Sequence, residues 1–479
     1  MRKLLAAVAG ALLLAGCAVG PDYEQPALDL PAEWPEHVLL SDEDRAAWQQ
    51  WWTRFDDPVL DRLVARALDD NLDIRLEAQR ILEARAQLGL ADANQYPTVE
   101  GQAQAARENQ PRTTAAVPGA AGPGNLFSVT GTLAYEVDLW GRLARQEEAA
   151  GARLRESVFS RDAVRLNVVA DVVATYFDLR AAQRQLTITE RTLESRERTY
   201  DLEKARYEAG ETDALALRQA ESELETTRAR IPPLRERVRT LESALAVLVG
   251  MSPAELLEQL DFAEGSLVDV RLPEDVPSVL PSELLQRRPD IRAAEAALIA
   301  ANAEIGVAEA SRLPSLNLTA FLGSTATATD DLFTAPAETW GVGASLLGPI
   351  LDFGRNAARV DTAQARRAQA ETQYRMTVTN AFREVRDALV LYETTQERVE
   401  AVERQVAAIE ETRRIAQVRY DEGLTSFIEL LDAQRALLDA ELALAEAKRD
   451  RLSATATLFK AMGGGWSEAE RQSAAEGQR

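Results

Sequence analysis

Apolar positions along the chain follow two periods. Over long stretches the period is seven. Leu217, Leu224, Ile231, Val238 and Leu245 fall seven apart, with Leu234, Leu241 and Leu248 on a second line. Later, Leu424, Leu431, Leu438, Ala445, Leu452 and Phe459 repeat that spacing beside Leu430, Leu437, Leu444 and Leu458. A strict heptad keeps one seam against a neighbouring helix only if the helices coil around each other. The pattern predicts two pairs of long helices, about 143–207 with 213–250 and about 356–420 with 425–462. Each pair turns at a glycine, Gly210 after Tyr207-Glu208-Ala209 and Gly423 after Tyr420-Asp421-Glu422. Glycine there suits a helix C-cap with positive φ. At about 1.5 Å per residue, the first helix of each pair would reach on the order of 100 Å.

Elsewhere the period is two, which predicts strands at about 98–106, 126–138, 315–323 and 339–347. Val129, Gly131, Leu133, Tyr135 and Val137 oppose Ser128, Thr130, Thr132, Ala134 and Glu136. Leu316, Leu318, Ala320 and Leu322 oppose Ser315, Asn317, Thr319 and Phe321, and Trp340, Val342, Ala344 and Leu346 oppose Gly341, Gly343 and Ser345. Each strand has about the length that spans a bilayer, roughly 9–11 residues. The connections Arg107–Asn125 and Gly323–Glu338 are rich in Ala, Thr, Gly, Pro and Asp, as exposed loops are. Phe127, Tyr135, Trp140 and Trp340 are placed to form aromatic belts.

The two periods occur twice, in the same order. Arg142 pairs with Arg355, Asn167 with Asn380, Tyr207 with Tyr420, Gly210 with Gly423 and Gly250 with Gly463, always at an offset of 213. Upstream, Asp73-Ile74-Arg75 matches Asp290-Ile291-Arg292 and Pro97 matches Pro314, at an offset of 217. Each half therefore reads helix, strand pair, long helix pair. The first helix starts at Asp57-Pro58, a good N-terminal pair, and is expected to run to about Asn94. Pro232-Pro233 departs from its counterpart, Ala445-Glu446, and predicts a break in the ascending helix near mid-height, the alternative being a harmless surface kink. The segments are 1–16, 17–57, a first repeat at 58–250, a linker at 251–280, a second repeat at 281–463 and a polar tail at 464–479. The fold class is mainly α with a small transmembrane β part.

Four strands cannot close a barrel, and open edges are intolerable in lipid. Several copies must therefore share one. Two copies give eight strands and an interior filled by side chains; three give twelve and room for a passage. The expectation is a homotrimer with a 12-stranded barrel continued by a helical tube. Gly141, Gly354 and Pro349 suit the strand-to-helix bends.

The N-terminus sets the compartment. Arg2 and Lys3 precede an apolar run, Leu4 to Leu14, too short to span a bilayer. Leu14-Ala15-Gly16-Cys17 resembles a bacterial lipobox, and Cys17 is the only cysteine. Residues 1–16 read as a lipoprotein signal peptide and Cys17 as the lipidated residue; by resemblance to other bacterial lipoproteins, Ala18 in place of Asp implies passage to the outer membrane. Residues 17–57 form an arm whose Pro21, Pro26, Pro31 and Pro35 forbid a helix. Its Trp34, Trp48, Trp51, Trp52 and Phe55 suit a strap docked on a larger body.

Composition narrows the classes further. The chain is 46% hydrophobic and 27% charged, too polar for a bundle of membrane helices. A net charge of -23 makes nucleic acid an improbable partner. His37 is the only histidine and lies in the proline-rich arm, so neither Ser-His-Asp catalysis nor a His-rich metal site is expected. No enzyme activity, cofactor or metal is expected. Three readings remain open: a trimeric export channel, a lipid-anchored periplasmic coiled-coil scaffold without a pore, and, distantly, a secreted hydrolase.

The pattern resembles the TolC-type outer-membrane factors, in the lipoprotein branch that includes OprM- and NodT-like proteins. Three motifs carry the resemblance: Cys17-Ala18-Val19-Gly20-Pro21-Asp22-Tyr23, Trp51-Trp52-Thr53-Arg54-Phe55-Asp56-Asp57-Pro58, and Leu280-Pro281-Ser282-Glu283-Leu284-Leu285-Gln286-Arg287-Arg288-Pro289-Asp290-Ile291. It implies a trimer with an outer-membrane β-barrel on a periplasmic α-barrel. It also implies a role as exit duct of a tripartite efflux system, alternatively of a type I protein secretion system. The partners would be a periplasmic adaptor (membrane fusion) protein and an inner-membrane transporter, of RND type for drug efflux. A duct needs a closed resting state, and its natural gate is the inner end of the tube, near Tyr420–Gly423. The resemblance places the constriction just after that turn, at Ile428, Glu429 and Asp432, with Tyr420 in the turn. An apolar ring narrows a passage and an acidic ring selects cations. The alternative is that Glu429 and Asp432 are exposed first-turn acids favoured by the helix dipole. The first copy has Leu215, Ala216 and Gln219 at these places, so the gate is expected mainly from the second.

Overall fold

The structure, a computed structural model, describes residues 18–31, 50–110, 122–257, 270 and 281–464. Cys17, Trp34, His37, Trp48, most of the 251–280 linker and the tail beyond Gly464 lie outside the described residues. The chain divides into two compact units, each drawing on both repeats.

The helices are α1 (Pro58–Asp70), α2 (Leu72–Ala93), α3 (Arg142–Glu208), α4 (Ala214–Leu248), α5 (Pro253–Leu257), α6 (Pro281–Arg287), α7 (Pro289–Ala310), α8 (Arg355–Asp421) and α9 (Phe427–Ala461). The strands are β1 (Thr98–Gln110), β2 (Gly122–Val137), β3 (Ser315–Ala326) and β4 (Glu338–Leu347). No helix among the described residues is long and apolar enough to cross a membrane.

The first unit, residues 1–28, 80–158 and 293–375, holds the sheet. Its strands run antiparallel in the order β1-β2-β3-β4. Val99 faces Leu133, Leu133 faces Ala320, and Ala320 faces Val342. Leu322 lies opposite both Gly131 and Trp340, and Leu316 opposite Val137 and Leu346. The period of two thus lines up across all four strands. One face carries Val99, Val129, Leu133, Leu318, Leu322, Trp340, Val342 and Leu346, every one exposed. The opposite face carries Gln102, Thr130, Thr132, Asn317 and Thr319. A broad apolar face left open to the surroundings is what a bilayer covers.

The strands exceed their alternation. β1 runs on through Gln110 and β2 starts at Gly122, so much of the expected connection Arg107–Asn125 is strand. Backbone pairing continues from Arg107↔Asn125 to Gln110↔Gly122 without apolar side chains to announce it. In the other hairpin β3 reaches Ala326, and two short 3-10 turns, Thr329–Asp331 and Ala335–Ala337, fill the rest.

Sheet becomes helix at two equivalent bends. Gly141 and Gly354 have φ of +72° and +87°, a region open mainly to glycine. Asp138 accepts the N–H of Ala144 at 2.9 Å, and Asp352 those of Gly354 and Asn356 at 3.1 and 3.0 Å. Those N–H groups hold the Asp352 carboxyl below the usual carboxylate value. The arm lies along this unit. Val19 N–H donates to Trp140 O at 3.0 Å and Asn302 donates to Pro21 O at 2.9 Å. Asp22 pairs with Arg145 at 2.7 Å, and Tyr23 donates to Glu295 at 3.1 Å.

The second unit, residues 29–79, 159–292 and 376–479, is helical. The Trp-rich motif forms a 3-10 turn, Trp51–Phe55, where the arm was expected to be extended throughout. Trp51 is fully buried, stacked on Phe459 at 5.5 Å with an edge contact to Phe55, which meets Phe177. Asp57 then caps α1, accepting from Val59 and Leu60 N–H, and also accepts from Tyr176 Oη. The expected single helix to Asn94 breaks at Asn71. Its Oδ1 accepts the N–H groups of Asp73 and Ile74, which caps α2, while Nδ2 donates to Leu248 O at 2.8 Å. A side chain that satisfies both a new helix start and an old helix end outweighs continuity. In the second half Arg288 stands at the matching place and meets the helix-end part of that task only. It forks onto Asp290, reaches Glu384 at 2.7 Å and donates to Ala461 O at 2.9 Å.

Pro232 and Pro233 do not break α4, contrary to the expectation. Both are exposed, as are Arg228 and Ala229, whose carbonyls lose their N–H partners. That face is open to solvent, where unpaired carbonyls cost little, and buried Ile231 and Val238 hold the helix on its seam.

Candidate functional site

The site begins at the two helix turns of the second unit. Gly210 and Gly423 carry φ of +77° and +69°. In each turn the glycine N–H bonds three residues back and the next N–H five back: Glu211 to Arg206 O and Leu424 to Arg419 O, both at 2.8 Å. That double bond pattern closes a helix tightly and lets the chain reverse within a few residues. Asp213 caps α4 through Ala216 N–H at 3.0 Å.

The turns are fastened together. Phe427, at the head of α9, is buried with Leu431 against Ala216 and Ala220 of α4, with Tyr200 and Tyr420 packed on the cluster. Tyr420 Oη donates to Glu203 Oε1 at 2.6 Å, and Arg206 donates to Tyr420 Oη at 3.1 Å. Glu203 is fully buried, and its Oε2 has no hydrogen-bond partner. Burial, then the bond to Glu203, pushes the Tyr420 hydroxyl up to about 12. This Tyr-Glu-Arg group joins α8 to α3.

A second fastening lies one to two turns further along α9. Arg435 donates to Glu223 of α4 through Nε at 2.7 Å and also through Nη2, and to Asp432 at 3.2 Å. The Glu223 bond raises the Arg435 guanidinium above its ordinary value. Arg196 of α3 approaches Glu223 at 3.7 Å and donates to Gln434 at 2.8 Å. Beyond it, Arg191–Glu441 and Asp178–Arg449 continue the seam between α3 and α9, while Glu197–Arg228 and Glu190–Arg235 tie α3 to α4. Arg398–Asp450 and Glu403–Lys448 join α8 to α9.

The four expected gate residues separate into two kinds. Ile428, Glu429 and Asp432 are exposed near the head of α9, with Ile428 and Asp432 four apart on one face. Tyr420 is turned inward, into the fastening. Their counterparts differ too. Ala216, at the place of Glu429, is buried against Phe427, whereas Leu215 is exposed. Sequence reasoning missed Glu203, Arg206, Glu223 and Arg435. Arg435 had a signal, three residues after Asp432. The other three look like ordinary helical charges until the fold brings them together. Among the described residues no group of three His, Cys, Asp or Glu side chains converges as a metal site.

Comparison with known proteins places this geometry. The model of the outer membrane efflux protein family matches residues 63–251 and 280–464. The cation efflux system protein CusC of Escherichia coli is 32% identical over 460 residues, covering 96% of this chain and 98% of CusC. The probable efflux pump outer membrane protein TtgC of Pseudomonas putida is 34% identical over 473 residues, covering 98% of this chain and 96% of TtgC. Among solved structures, the CmeC outer membrane channel of Campylobacter jejuni superposes with a TM-score of 0.88 at 26% identity, over 96% of this chain and 98% of CmeC. The open state of the Neisseria gonorrhoeae MtrE outer membrane channel superposes with a TM-score of 0.84 at 32% identity, over 94% and 98%.

Proposed function

This chain belongs to the outer membrane efflux protein family, and from that premise we propose that three copies form a gated passive duct that carries small molecules such as drugs from the periplasm to the exterior. The family works in the outer membrane within tripartite efflux systems. The observation that carries the reading is the open sheet. Its four strands present a continuous apolar face, and β1 and β4 are both free edges. Edges of that kind persist in lipid only when another chain pairs with them. The helices support the same conclusion. α3 makes ion-paired seams with both α4 and α9, and its repeat counterpart α8 makes its own with α9. Ile415 and Val418 of α8 are exposed, and α4 of a neighbouring copy would cover that side.

The gate follows from the tips. Around a threefold axis Ile428 forms an apolar ring, with acid rings at Glu429 and Asp432, and the Tyr420–Glu203 and Arg435–Glu223 bonds hold those rings inward. Opening requires the α8–α9 pair to part from α3 and α4, so both bonds must break. A periplasmic adaptor that binds the tips more tightly when they are parted shifts that equilibrium. An inner-membrane transporter of RND type would supply the cargo, and the acyl group on Cys17 would add a lipid anchor. The repeats at 58–250 and 281–463 are the units of this design.

Conductance of the purified full-length protein in planar bilayers tests the duct. The expected record is discrete steps of small current, because the tips rest closed. A trimer that stays electrically silent, even after the tip bonds are removed by mutation, contradicts it.

A further inference from the structure

The first unit contains a cavity of about 890 Å³ lined by α2, α3, α7 and α8. That volume lies in the range of drug-sized sites, roughly 300–1,000 Å³. Its floor includes Ala149, Ala150 and Ala363, all buried. The charged groups on its lining are Arg153, Arg355, Arg359, Arg366 and Glu304. A chain with a net charge of -23 therefore has a cavity with four cations and one anion.

The internal repeat shows why the excess arises. Arg153 of α3 is paired with Glu304 of α7. Arg366 is the counterpart of Arg153, and Gln87 is the counterpart of Glu304. The second half has kept the cation and its place on the wall, while an amide stands where the acid would be. Gln87 donates to Glu83 at 3.3 Å, and Arg366 has neither hydrogen bond nor ion pair among the described residues. Arg359 stands where the first half has Gln146, and it donates to a neutral acceptor, Asn356 Oδ1, at 3.0 Å. Seven residues separate Arg359 from Arg366 on α8, so the two guanidinium groups project along one face, into the cavity. Planar guanidinium forks match phosphate and carboxylate oxygens.

We infer that this cavity is a binding site for organic anions: a phosphate or carboxylate head held by Arg359 and Arg366, with an apolar body on the alanine floor. As a statement about cargo, this rests on the duct reading. An amphiphilic anion would be detained at the cavity, whereas a neutral solute would pass it.

Calorimetry on the full-length protein in mild non-ionic detergent tests this, with phenyl phosphate, inorganic phosphate and neutral benzyl alcohol as probes. Phenyl phosphate should bind once per chain, more tightly than inorganic phosphate, with affinity falling as salt rises. Benzyl alcohol should not bind. The double variant Arg359→Gln/Arg366→Gln should weaken phenyl phosphate at least about ten-fold, since two charge-assisted bonds are lost. Gln87→Glu, which supplies the missing acid, should weaken it in the same direction and serves if the double variant does not fold. Equal binding of phenyl phosphate and benzyl alcohol, or unchanged affinity in the variants, overturns the inference. Bilayer conductance of the same samples separates the two readings. A conducting protein that ignores phenyl phosphate refutes the site alone, and a silent protein that binds it refutes the duct alone.

Discussion

Tyr420 shows how much one hydroxyl can hold. It is the donor that satisfies buried Glu203 Oε1, whose partner oxygen is already unpaired. Tyr420→Phe leaves that carboxylate to Arg206 alone. An unsatisfied buried group costs about 1–3 kcal/mol, and the cost falls on the closed arrangement. Open probability in bilayers should therefore rise by roughly one order of magnitude or more; an unchanged value would show that the bond is not part of the latch. The same hydroxyl gives a pH dependence. Its folded value is raised from 10.0 to about 12, so the neutral donor is favoured in the closed state. The latch is intact below pH 10 and is lost as pH rises through about 12. Current should grow across that window in the wild type and not in Tyr420→Phe. Asp432 is held differently, by Arg435 at its own helix surface. Asp432→Ala removes an acid ring while Arg435 keeps its bonds to Glu223, and should raise single-channel current; the same current as wild type would remove Asp432 from the gate. At this scale the sequence was legible for residues that act through position in a motif, such as Gly210 and Gly423. It was silent on Glu203 and Glu223, because their significance comes from burial against another helix.

At the scale of elements, periodicity carried most of the fold. Heptads mark α4 and α9 because a seven-residue spacing keeps one seam against a neighbouring helix, and their partners α3 and α8 follow from the turns at Gly210 and Gly423. Alternation marks the middle of each strand because one face is apolar and the other polar. Both signals fail where backbone alone decides. The ends of β1 and β2 are held by pairing between polar residues, and nothing apolar announces them. The break between α1 and α2 depends on Asn71 satisfying Leu248 O, a partner 177 residues away. Its equivalence to Arg288 and Ala461 O is visible only once both bonds are seen. The proline pair misled for the opposite reason: local propensity was overridden by the seam on which α4 lies. Two prolines still withhold two backbone hydrogen bonds. Replacing them by Ala, as Pro232→Ala/Pro233→Ala, should stabilise the protein by about 1–3 kcal/mol. Thermal unfolding of the extracted protein measures this, and a lower midpoint would mean that the prolines serve a packing role. Trp51→Ala should act the other way, costing about 3–5 kcal/mol for a buried aromatic stacked on Phe459.

For the whole molecule, one shortage explains the arrangement. A single chain has enough sheet to show lipid a long apolar face and too little to close it. The repeat makes this legible in the order of residues itself, since each half supplies one hairpin and one pair of long helices. What the sequence withheld is the contrast between halves that have diverged. Arg142 and Arg153 of the first half are paired, with Glu136 and with Glu304 of the second, whereas Arg359 and Arg366 of the second half face a cavity. The tips depart from symmetry as well, with Ala216 packed inside and Glu429 left outside. The most direct measurement of the central claim is the native mass of the full-length protein extracted in mild detergent. The account predicts three chains per particle, so that twelve strands close one wall; a particle of one chain, or of two, contradicts it.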